Sequence, residues 1–347
     1  MNINTVNRFK QNLLVGSKGL SLVELMVAIT IGLFLIGGVI QIYVGSKATY
    51  RSQDALSRLQ ENQRYVLSLL AADIRPAGYV GCLNFKTKPS INIIANNPPD
   101  LSNATAVMGS ENKGGQSWSP ALPTGVSQVL SDTDVLVVQH GGSCGAKLTG
   151  NMGVKNADIQ IDAANSCGFQ ANEAILISDC SGADLFRATT VSNGSGTVTI
   201  AHSSAQNSGN FLSKPYTDES ELLKFTSVAY FIRNGVSGIP SLWRFNRTAS
   251  AGTNNPVELV EGVENLQLEY GEDTGIDGEA DQYVKADAVG NWENVVSVRL
   301  TVLFRTIEAV LDSSTTYTFA AASNKQYTDR FSRQETTLTV DLRNKGI

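Results

Sequence analysis

Residues 20–44 read LSLVELMVAITIGLFLIGGVIQIYV, an apolar run of 25 residues in which Glu24 is the single formal charge. A helix of about 20 apolar residues spans the hydrocarbon core of a bilayer, because all its backbone hydrogen bonds close within the segment. Basic residues precede the run, so the positive-inside rule places the N-terminus in the cytoplasm and everything after Val44 outside. The sequence therefore predicts a single-span, exported architecture.

Three explanations compete for this run. A secretory signal has an apolar core of about 7 to 15 residues, which this run exceeds, whereas a plain membrane anchor accounts for the length. Neither explains Glu24, because an ionisable group inside a spanning helix costs roughly 2.5–3.5 kcal/mol on insertion scales and needs a partner. The third explanation rests on a family resemblance of residues 18–25, which implies a cut after Gly19; the new α-ammonium of Leu20 would then be the partner, one helical turn from the carboxylate.

Residues 18–25, KGLSLVEL, resemble the type III signal of the type IV pilin superfamily. The resemblance implies that a prepilin peptidase cuts after Gly19, that Leu20 becomes the N-methylated first residue, and that Glu24 acts in assembly as the fifth mature residue. Two features depart from the commonest pattern. Leu20 stands where many pilins have Phe, and the helix-bending proline of major pilins is missing; Gly37-Gly38 offers flexibility or close helix packing instead.

Beyond the apolar run the pattern becomes amphipathic. Between Ala48 and Arg75, apolar residues recur at three- to four-residue steps, with a polar Gln63 in register. One helix is therefore expected to continue from the bilayer, to bury this stripe in a globular domain, and to end at Pro76 and Gly78. The stripe consists of Leu56, Leu59, Val66, Leu70 and Ile74.

After Gly78 the sequence changes to short β-type runs separated by turn residues. They predict an α+β fold, in which a long N-terminal hydrophobic helix packs on a large antiparallel β-rich domain. The polar stretch Asn84–Thr133 is expected to be an elaborated surface loop. The predicted strands are 134–139, 173–178, 186–191, 197–201, 225–233, 242–245, 263–270, 295–306 and 336–342.

Composition and charge exclude a protein that binds nucleic acid through general basicity. The 347 residues include 27 Lys and Arg and 32 Asp and Glu, for a formal net charge of −5. The segment up to Gly19 holds three basic residues and no acid, so the remainder carries 24 basic and 32 acidic residues, a net charge of −8. Abundant glycine with few charged residues is typical of a β-rich extracytoplasmic protein.

Four cysteines without a C-x-x-C pair indicate two disulfides in an oxidising compartment, and three pairings are open. The pairing that we favour joins Cys144 to Cys167, closing a short loop, and Cys82 to Cys180, tying the end of the long helix to a strand edge. Zinc held together with His140 is the alternative. The wide, irregular spacing disfavours it, because structural zinc ligands usually come in close pairs.

The sequence offers little that is typical of an enzyme. It has two histidines and none of the motifs G-x-S-x-G, G-x-x-x-x-G-K-[ST] or H-E-x-x-H. His140, beside a glycine pair, is interpreted as a loop residue. The acidic pairs Asp132 with Asp134, and Glu258 with Glu261, are interpreted as solvated strand and turn residues.

One segment is a candidate metal site. Residues 273–281, DTGIDGEAD, match part of the calcium-loop pattern D-x-[DN]-x-[DN]-G, with Asp273, Asp277 and Asp281 at offsets one, five and nine. A glycine replaces the expected third-position acid, and a valine stands where the bidentate glutamate would be. With two ligand positions lost, an acidic hairpin loop is the favoured interpretation and Ca²⁺ is the alternative; no other cofactor is predicted.

Later segments resemble the PilW family, which are large minor pilins of type IV pili. The resemblance runs from about Gly19 to the C-terminus. It predicts a cleaved leader (1–19), a transmembrane and filament-core helix (20–44), its amphipathic continuation (45–76) and an extracytoplasmic domain (77–347). The segments that carry it are 75–79 with Gly81-Cys82, 132–138, 178–180 followed by 184–186, 242–244, 259–264, 295–303 and 330–344.

The resemblance implies a structural subunit of the complex that primes pilus assembly and sits at the tip, with roles in twitching motility and adhesion. Its expected partners are other minor pilins, the major pilin, a large tip adhesin, the prepilin peptidase and the inner-membrane assembly platform. Before assembly the chain is expected in the inner membrane with a periplasmic domain, and afterwards on the pilus at the cell surface. A minor pseudopilin of a type II secretion system and an anchored surface adhesin are the alternatives.

Overall fold

The computed structural model describes residues 19–83, 91–96, 105–249 and 254–345. Its longest element is helix α1, Leu22–Ile74, with 53 residues. The chain divides into two compact units, Met1–Gln53 and Asp54–Ile347, and α1 contributes to both. The helix ends close to the predicted limit because Arg75 precedes a proline, and the backbone then turns at Gly78, which has φ +77°.

The first part of α1 is apolar and exposed. Its side chains include Leu22, Phe34 and Ile42, all of them more than half exposed. By length and composition, α1 is the one helix in the described part of the chain that can cross a membrane. A helix that is apolar all round is suited to lipid or to the inside of a helical bundle, because water solvates such a surface poorly.

The second part of α1 packs on the β-rich unit through the predicted stripe. Leu59, Val66, Leu70 and Ile74 are buried in a core cluster that also contains residues of the sheets. Leu56 is 39% exposed, so its predicted burial is wrong. It lies about one turn before the first buried residue, where the sheet no longer covers the helix.

The polar residue within the stripe has a partner of its own. Gln63 donates from Nε2 to the hydroxyl of Thr336. The preceding residue, Asn62, donates from Nδ2 to the carbonyl of Glu261 at 3.2 Å. The helix is therefore held to the sheets by polar contacts as well as by apolar packing, and the break in the apolar pattern is explained.

The β-rich unit contains all of the predicted strands, although the run 186–191 is divided between two of them. Turn residues separate the strands as the sequence predicts. The strands are β1 (Ile91–Ile93), β2 (Val107–Asn112), β3 (Trp118–Ser119), β4 (Val135–Lys147), β5 (Ile159–Asp162), β6 (Ala174–Asp179), β7 (Gly182–Arg187), β8 (Thr190–Asn193), β9 (Thr197–Ala201), β10 (Glu221–Asn234), β11 (Pro240–Asn246), β12 (Val257–Glu261), β13 (Val263–Glu272), β14 (Gln282–Val284), β15 (Val295–Arg305), β16 (Thr315–Phe319), β17 (Lys325–Asp329) and β18 (Arg333–Asp341).

The strands form two principal sheets and two small ones. The larger sheet has the order β1-β7-β6-β10-β4-β2-β3, with β11 and β12 added beside β10. The second sheet has the order β14-β13-β15-β18, and its strands β13 and β15 supply much of the core beneath α1. Pairing is antiparallel as predicted, except that β1 and β7 pair in parallel. The small sheets are β5-β9-β8 and the hairpin β16-β17.

The predicted surface loop over residues 84–133 is corrected by the structure. Strand β2 in this stretch pairs with β4 inside the large sheet, and Val107 and Val129 are buried. Residues 84–90 and 97–104 lie outside the described part. The polar composition of β2 is misleading because the strand gains its position from backbone pairing with β4 rather than from an apolar pattern of its own.

Two disulfides are present, and they join the pairs that the sequence favours. Cys82 bonds to Cys180 with a Cα separation of 4.9 Å, and Cys144 bonds to Cys167 with a Cα separation of 5.0 Å. The first bond ties the segment that follows α1 to the β6–β7 turn. The second closes a loop next to the small sheet β5-β9-β8.

Candidate processing and assembly site

The start of α1 is stabilised by a reciprocal pair of side-chain contacts. The backbone amide of Glu24 donates to Ser21 Oγ at 3.1 Å, and the amide of Ser21 points to Glu24 Oε2 at 3.5 Å. This is a capping box, in which a serine before the helix and a glutamate three residues later satisfy amides that the helix itself leaves unpaired. The glutamate carboxylate is thereby held at the positive end of the helix dipole.

This arrangement places the carboxylate beside the expected new N-terminus. A cut after Gly19 would put an α-ammonium on Leu20, one residue before the capping serine. After such a cut, the folded-back position of Glu24 would bring opposite charges close together within a single chain, before any neighbour contributes. In a low-dielectric bundle of helices, the same carboxylate would be available to the amine of another subunit.

Gly19 is exposed and lies outside the helix. A Cβ atom built on it would meet no heavy atom within 4 Å. The fold of this chain therefore does not require a glycine at this position. Ser21 is the residue that the sequence interpretation missed, although the S-x-x-E spacing predicts it.

The acidic loop uses its carboxylates to hold its own turn. Asp273 is buried and accepts from the amides of Ile276 at 2.5 Å and Gly278 at 2.8 Å. Asp281 accepts from the amide and hydroxyl of Thr274, both at 2.7 Å, and these bonds hold the pKa of Asp281 below its usual value. The loop connects β13 to β14, as the hairpin interpretation predicts.

The geometry gives no support to a metal at this loop. Asp277 accepts from the amide of Glu279 at 3.0 Å, so all three predicted ligands face backbone donors. Among the described residues, no group of three or more His, Cys, Asp or Glu side chains is arranged to hold a metal ion. Calcium binding at Asp273, Asp277 and Asp281 stays a prediction.

One predicted solvated acid is instead buried. Asp134 is 1% exposed and lies where the two principal sheets meet. Its carboxyl group accepts from the amide of Asn112 at 3.0 Å and from the amide of Leu268 at 2.9 Å, which joins β2 to β13. Burial, followed by the neighbouring carboxylate of Glu111, raises the pKa of Asp134 well above its usual value.

Glu111 completes this buried carboxyl pair. It is 4% exposed and accepts from Lys285 Nζ at 2.5 Å. The phenol of Tyr270 is fully buried beside the pair, where burial raises its pKa. A Cβ at Gly109 would approach that hydroxyl within 1.9 Å, so β2 needs a glycine to lie against β13. The cluster joins the two sheets.

The other predicted acids and His140 have structural contacts. His140 lies in strand β4 opposite Thr226, so its assignment to a loop is wrong. Glu261 accepts from the hydroxyl of Ser237 at 2.6 Å and holds the turn between β10 and β11. Asp132 is a turn residue, as predicted, and accepts from Lys325 Nζ at 2.6 Å.

The C-terminal end of α1 is clasped by the last described residues of the chain. The amide of Arg343 donates to the carbonyl of Arg75 at 3.1 Å, and Asn344 Nδ2 donates to the carbonyl of Pro76 at 3.2 Å. The first bond gives a partner to the carbonyl of Arg75, at a helix end where carbonyls are otherwise unpaired, and the second adds to the bond that the carbonyl of Pro76 accepts from the amide of Tyr79 at 2.9 Å. Within the helix, Asp73 accepts from the hydroxyl of Tyr230 in the large sheet.

Comparison with known proteins gives a family for the C-terminal third of the chain. Residues 229–344 match the family model described as PilW, Type IV Pilus-assembly protein W. This segment begins within β10 and runs past β18, and the predicted PilW resemblance is confirmed over it. A type IV-like pilin from Thermus thermophilus matches the structure with a TM-score of 0.36 and 11% identity, over 84% of this chain and 99% of that chain. No curated protein matches the sequence.

Proposed function

We propose that this PilW-family chain is a minor pilin, which a prepilin peptidase cuts between Gly19 and Leu20 and which enters a type IV pilus through α1. The observation that carries the proposal is the start of that helix. An exposed glycine that its own fold does not require precedes the apolar first part of α1, and Glu24, the single formal charge of residues 20–44, lies at the N-terminal turn of the helix.

The rest of the molecule supports a structural role. The β-rich unit is fastened to the second part of α1 by the buried stripe and by the clasp at Arg75, so force applied to the helix would reach the domain. The two disulfides are suited to an oxidising periplasm or cell surface. Asp132, Asp134 and Glu261 serve turns and sheet contacts, and we propose no enzymatic activity.

The place of the chain in the assembly follows the family resemblance. We propose that it acts in the priming complex at the pilus tip, with other minor pilins, the major pilin and a large adhesin as neighbours. Before assembly it would be an inner-membrane protein with a periplasmic domain. Adhesion and twitching motility would then depend on it indirectly, through the number of pili that are primed.

Mass spectrometry of the mature N-terminal peptide tests the processing step. We expect the loss of nineteen residues and one added methyl group on Leu20. Gly19→Val should block the cut, because the side chain would not fit a peptidase pocket shaped for glycine, while the fold has room for it. A mature start near Ala48 would contradict the proposal and indicate a secretory signal.

Two variants separate the capping and assembly roles of Glu24. Glu24→Gln keeps an oxygen for the capping box but removes the charge, whereas Ser21→Ala removes the cap and keeps the charge. We expect Glu24→Gln to insert into the membrane and to be lost from purified pili, and Ser21→Ala to be retained in them. Incorporation of Glu24→Gln at the wild-type level would refute the charge role.

The location of the processed chain distinguishes the alternatives. Sheared and purified pili that contain the chain support the minor pilin. Its presence only in a secretion pseudopilus would favour the type II pseudopilin, and a permanently anchored or released chain would favour the adhesin.

A further inference from the structure

Strand β18 forms an open edge of the four-stranded sheet. It pairs with β15 through nine consecutive residues without a bulge, and no other strand of the described chain pairs with it. Native sheets usually protect such edges with charged side chains, lysine above all, with a bulge or a proline, or with a covering element. The long regular edge of β18 carries no bulge, proline or lysine.

The hydrogen-bond pattern shows which backbone groups are open. Just past β18, the amide of Leu342 donates inward to the carbonyl of Val296 at 2.8 Å, and that of Arg343 donates outward to the carbonyl of Arg75, the residue after α1. Because direction alternates along a strand, every second residue of β18 points its amide and carbonyl away from β15. These groups have no hydrogen-bond partner among the described residues. The exposed residues concerned are Glu335, Thr337, Thr339 and Asp341.

The two faces of this edge differ in chemistry. On one face Thr336 and Val340 turn toward α1, and half-buried Leu338 between them packs against the core cluster. On the other face the four open residues read Glu-Thr-Thr-Asp at alternate positions, with an acid at each end. Glu335 accepts from the hydroxyl of Tyr317 at 3.3 Å, and neither Glu335 nor Asp341 forms a salt bridge with a described residue, so no basic side chain of the described chain neutralises either charge.

We propose that the open edge of β18 binds an extended segment of a different pilus subunit by strand addition. The row of unpaired amides and carbonyls selects a β-strand, because a strand satisfies such a row along its whole length. The terminal acids select basic residues in the added strand opposite Glu335 and Asp341, since opposite charges across a strand pair are favourable. An apolar side chain of the partner would cover Leu338.

A second copy of this chain fits the edge poorly. If two β18 strands paired antiparallel over their four open residues, Glu335 of each copy would lie opposite Asp341 of the other. Like charges directly opposite one another destabilise a strand pair, and here the clash would occur at both ends. The occupant is therefore a chain of different sequence. This inference rests on the proposed function, since it takes the partner from the same filament.

Proline substitution tests the edge without breaking the sheet. Thr337→Pro removes an outward-facing amide, a position at which edge strands tolerate proline, and leaves the bonds to β15 in place. Thr337→Val is the matched control, because it changes the side chain and keeps the amide. We expect the amount of the Thr337→Pro chain in pili purified from the native cells to be at least tenfold lower than that of the wild type. The amount of the Thr337→Val chain should match the wild type.

Two further measurements keep the proposal falsifiable if the proline variant folds poorly. The charge reversal Glu335→Lys with Asp341→Lys should reduce incorporation without altering the backbone. A photo-crosslinking residue at Thr339 should join the full-length chain to a peptide of another subunit that has basic residues near the crosslink. Crosslinking to a second copy of this chain, or no crosslink in assembled pili, would overturn the proposal.

The outcomes also separate the two proposals. If the wild type is cut after Gly19 and incorporated, and Thr337→Pro is incorporated equally, the edge proposal fails and the proposed function stands. If the wild type is neither cut nor found in pili, both fail. Amide exchange of residues 333–342 that is slower in pili than in the detergent-solubilised chain supports the edge contact, and unchanged exchange contradicts it.

Discussion

The junction between α1 and the β-rich unit is expected to depend on Leu70. Its side chain is fully buried in the core cluster beneath the helix, in company with Leu266 and Leu300 of the second sheet. Leu70→Ala leaves a cavity that the surrounding sheet fills only in part, and buried leucine-to-alanine changes cost about 2–5 kcal/mol. We expect the free energy of unfolding to fall by about 3 kcal/mol.

The chain supplies its own control. Leu56 lies on the same helix and is 39% exposed, so Leu56→Ala removes the same atoms and creates no enclosed cavity. We expect it to change the free energy of unfolding by less than about 1 kcal/mol. Both variants have nearly the same intrinsic helix preference relative to wild type, which isolates the effect of packing.

Urea unfolding of the full-length chain in detergent micelles measures the difference. Tryptophan fluorescence reports on the β-rich unit, because Trp292 packs edge-on against Tyr270 with 4.7 Å between ring centroids. The urea concentration at the midpoint of unfolding should be lower for Leu70→Ala, with little change in the slope of the free energy of unfolding against urea concentration. Equal effects of Leu70→Ala and Leu56→Ala, or a loss below about 1 kcal/mol at Leu70, would refute the packing of this helix on the sheets.

Three further predictions follow from the acids and the disulfides. Burial raises the pKa of Asp134 in the folded state. The side chain therefore contributes its full stabilisation at pH values below its unfolded-state pKa, and this contribution declines as the pH rises through its folded-state pKa. Asp134→Asn lacks that titration, so its free energy of unfolding, measured with urea, should lie furthest below that of the wild type near pH 4 and approach it toward neutral pH. A difference that does not change with pH would contradict this. Replacing Cys144 and Cys167 by alanine opens a loop with a sequence separation of 23 and should lower the free energy of unfolding by about 3 kcal/mol; an unchanged urea midpoint would show that the bond constrains nothing. Added Ca²⁺ should move the melting temperature by less than about 1 °C, because the acidic loop satisfies its carboxylates internally. A rise of several degrees, abolished by Asp277→Ala, would instead establish the calcium site.

The elements predicted best are those that one local pattern determines. The helix followed from an apolar run joined to an amphipathic stripe, and its end followed from Pro76, because the proline restricts the residue before it. The interior strands followed from β-branched runs, such as those of β13 and β15. Ser21 is also a local signal, since its spacing from Glu24 defines the capping box.

The elements missed are those that depend on distant partners. Asp134 looks like a solvated strand residue in the sequence, and its burial depends on amides from β2 and β13 that the chain brings to it only after folding. The register of Leu56 is correct, but the extent of the sheet that would cover it cannot be deduced from the helix sequence. Strand β2 has a polar composition and is positioned by its pairing with β4.

Glu24 takes part both in the start of helix α1 and in the contact that we propose with another subunit. In the single chain its side chain belongs to the capping box, so it would already be held at the helix start when the proposed cut removes the leader. A carboxylate oriented in this way loses less conformational entropy when it meets an ammonium than one on a free side chain would. Removing the side chain of Ser21 should therefore weaken assembly only slightly, whereas removing the charge of Glu24 should abolish it. Such a difference would show that Ser21 orients the carboxylate and that the charge of Glu24 makes the contact with the other subunit.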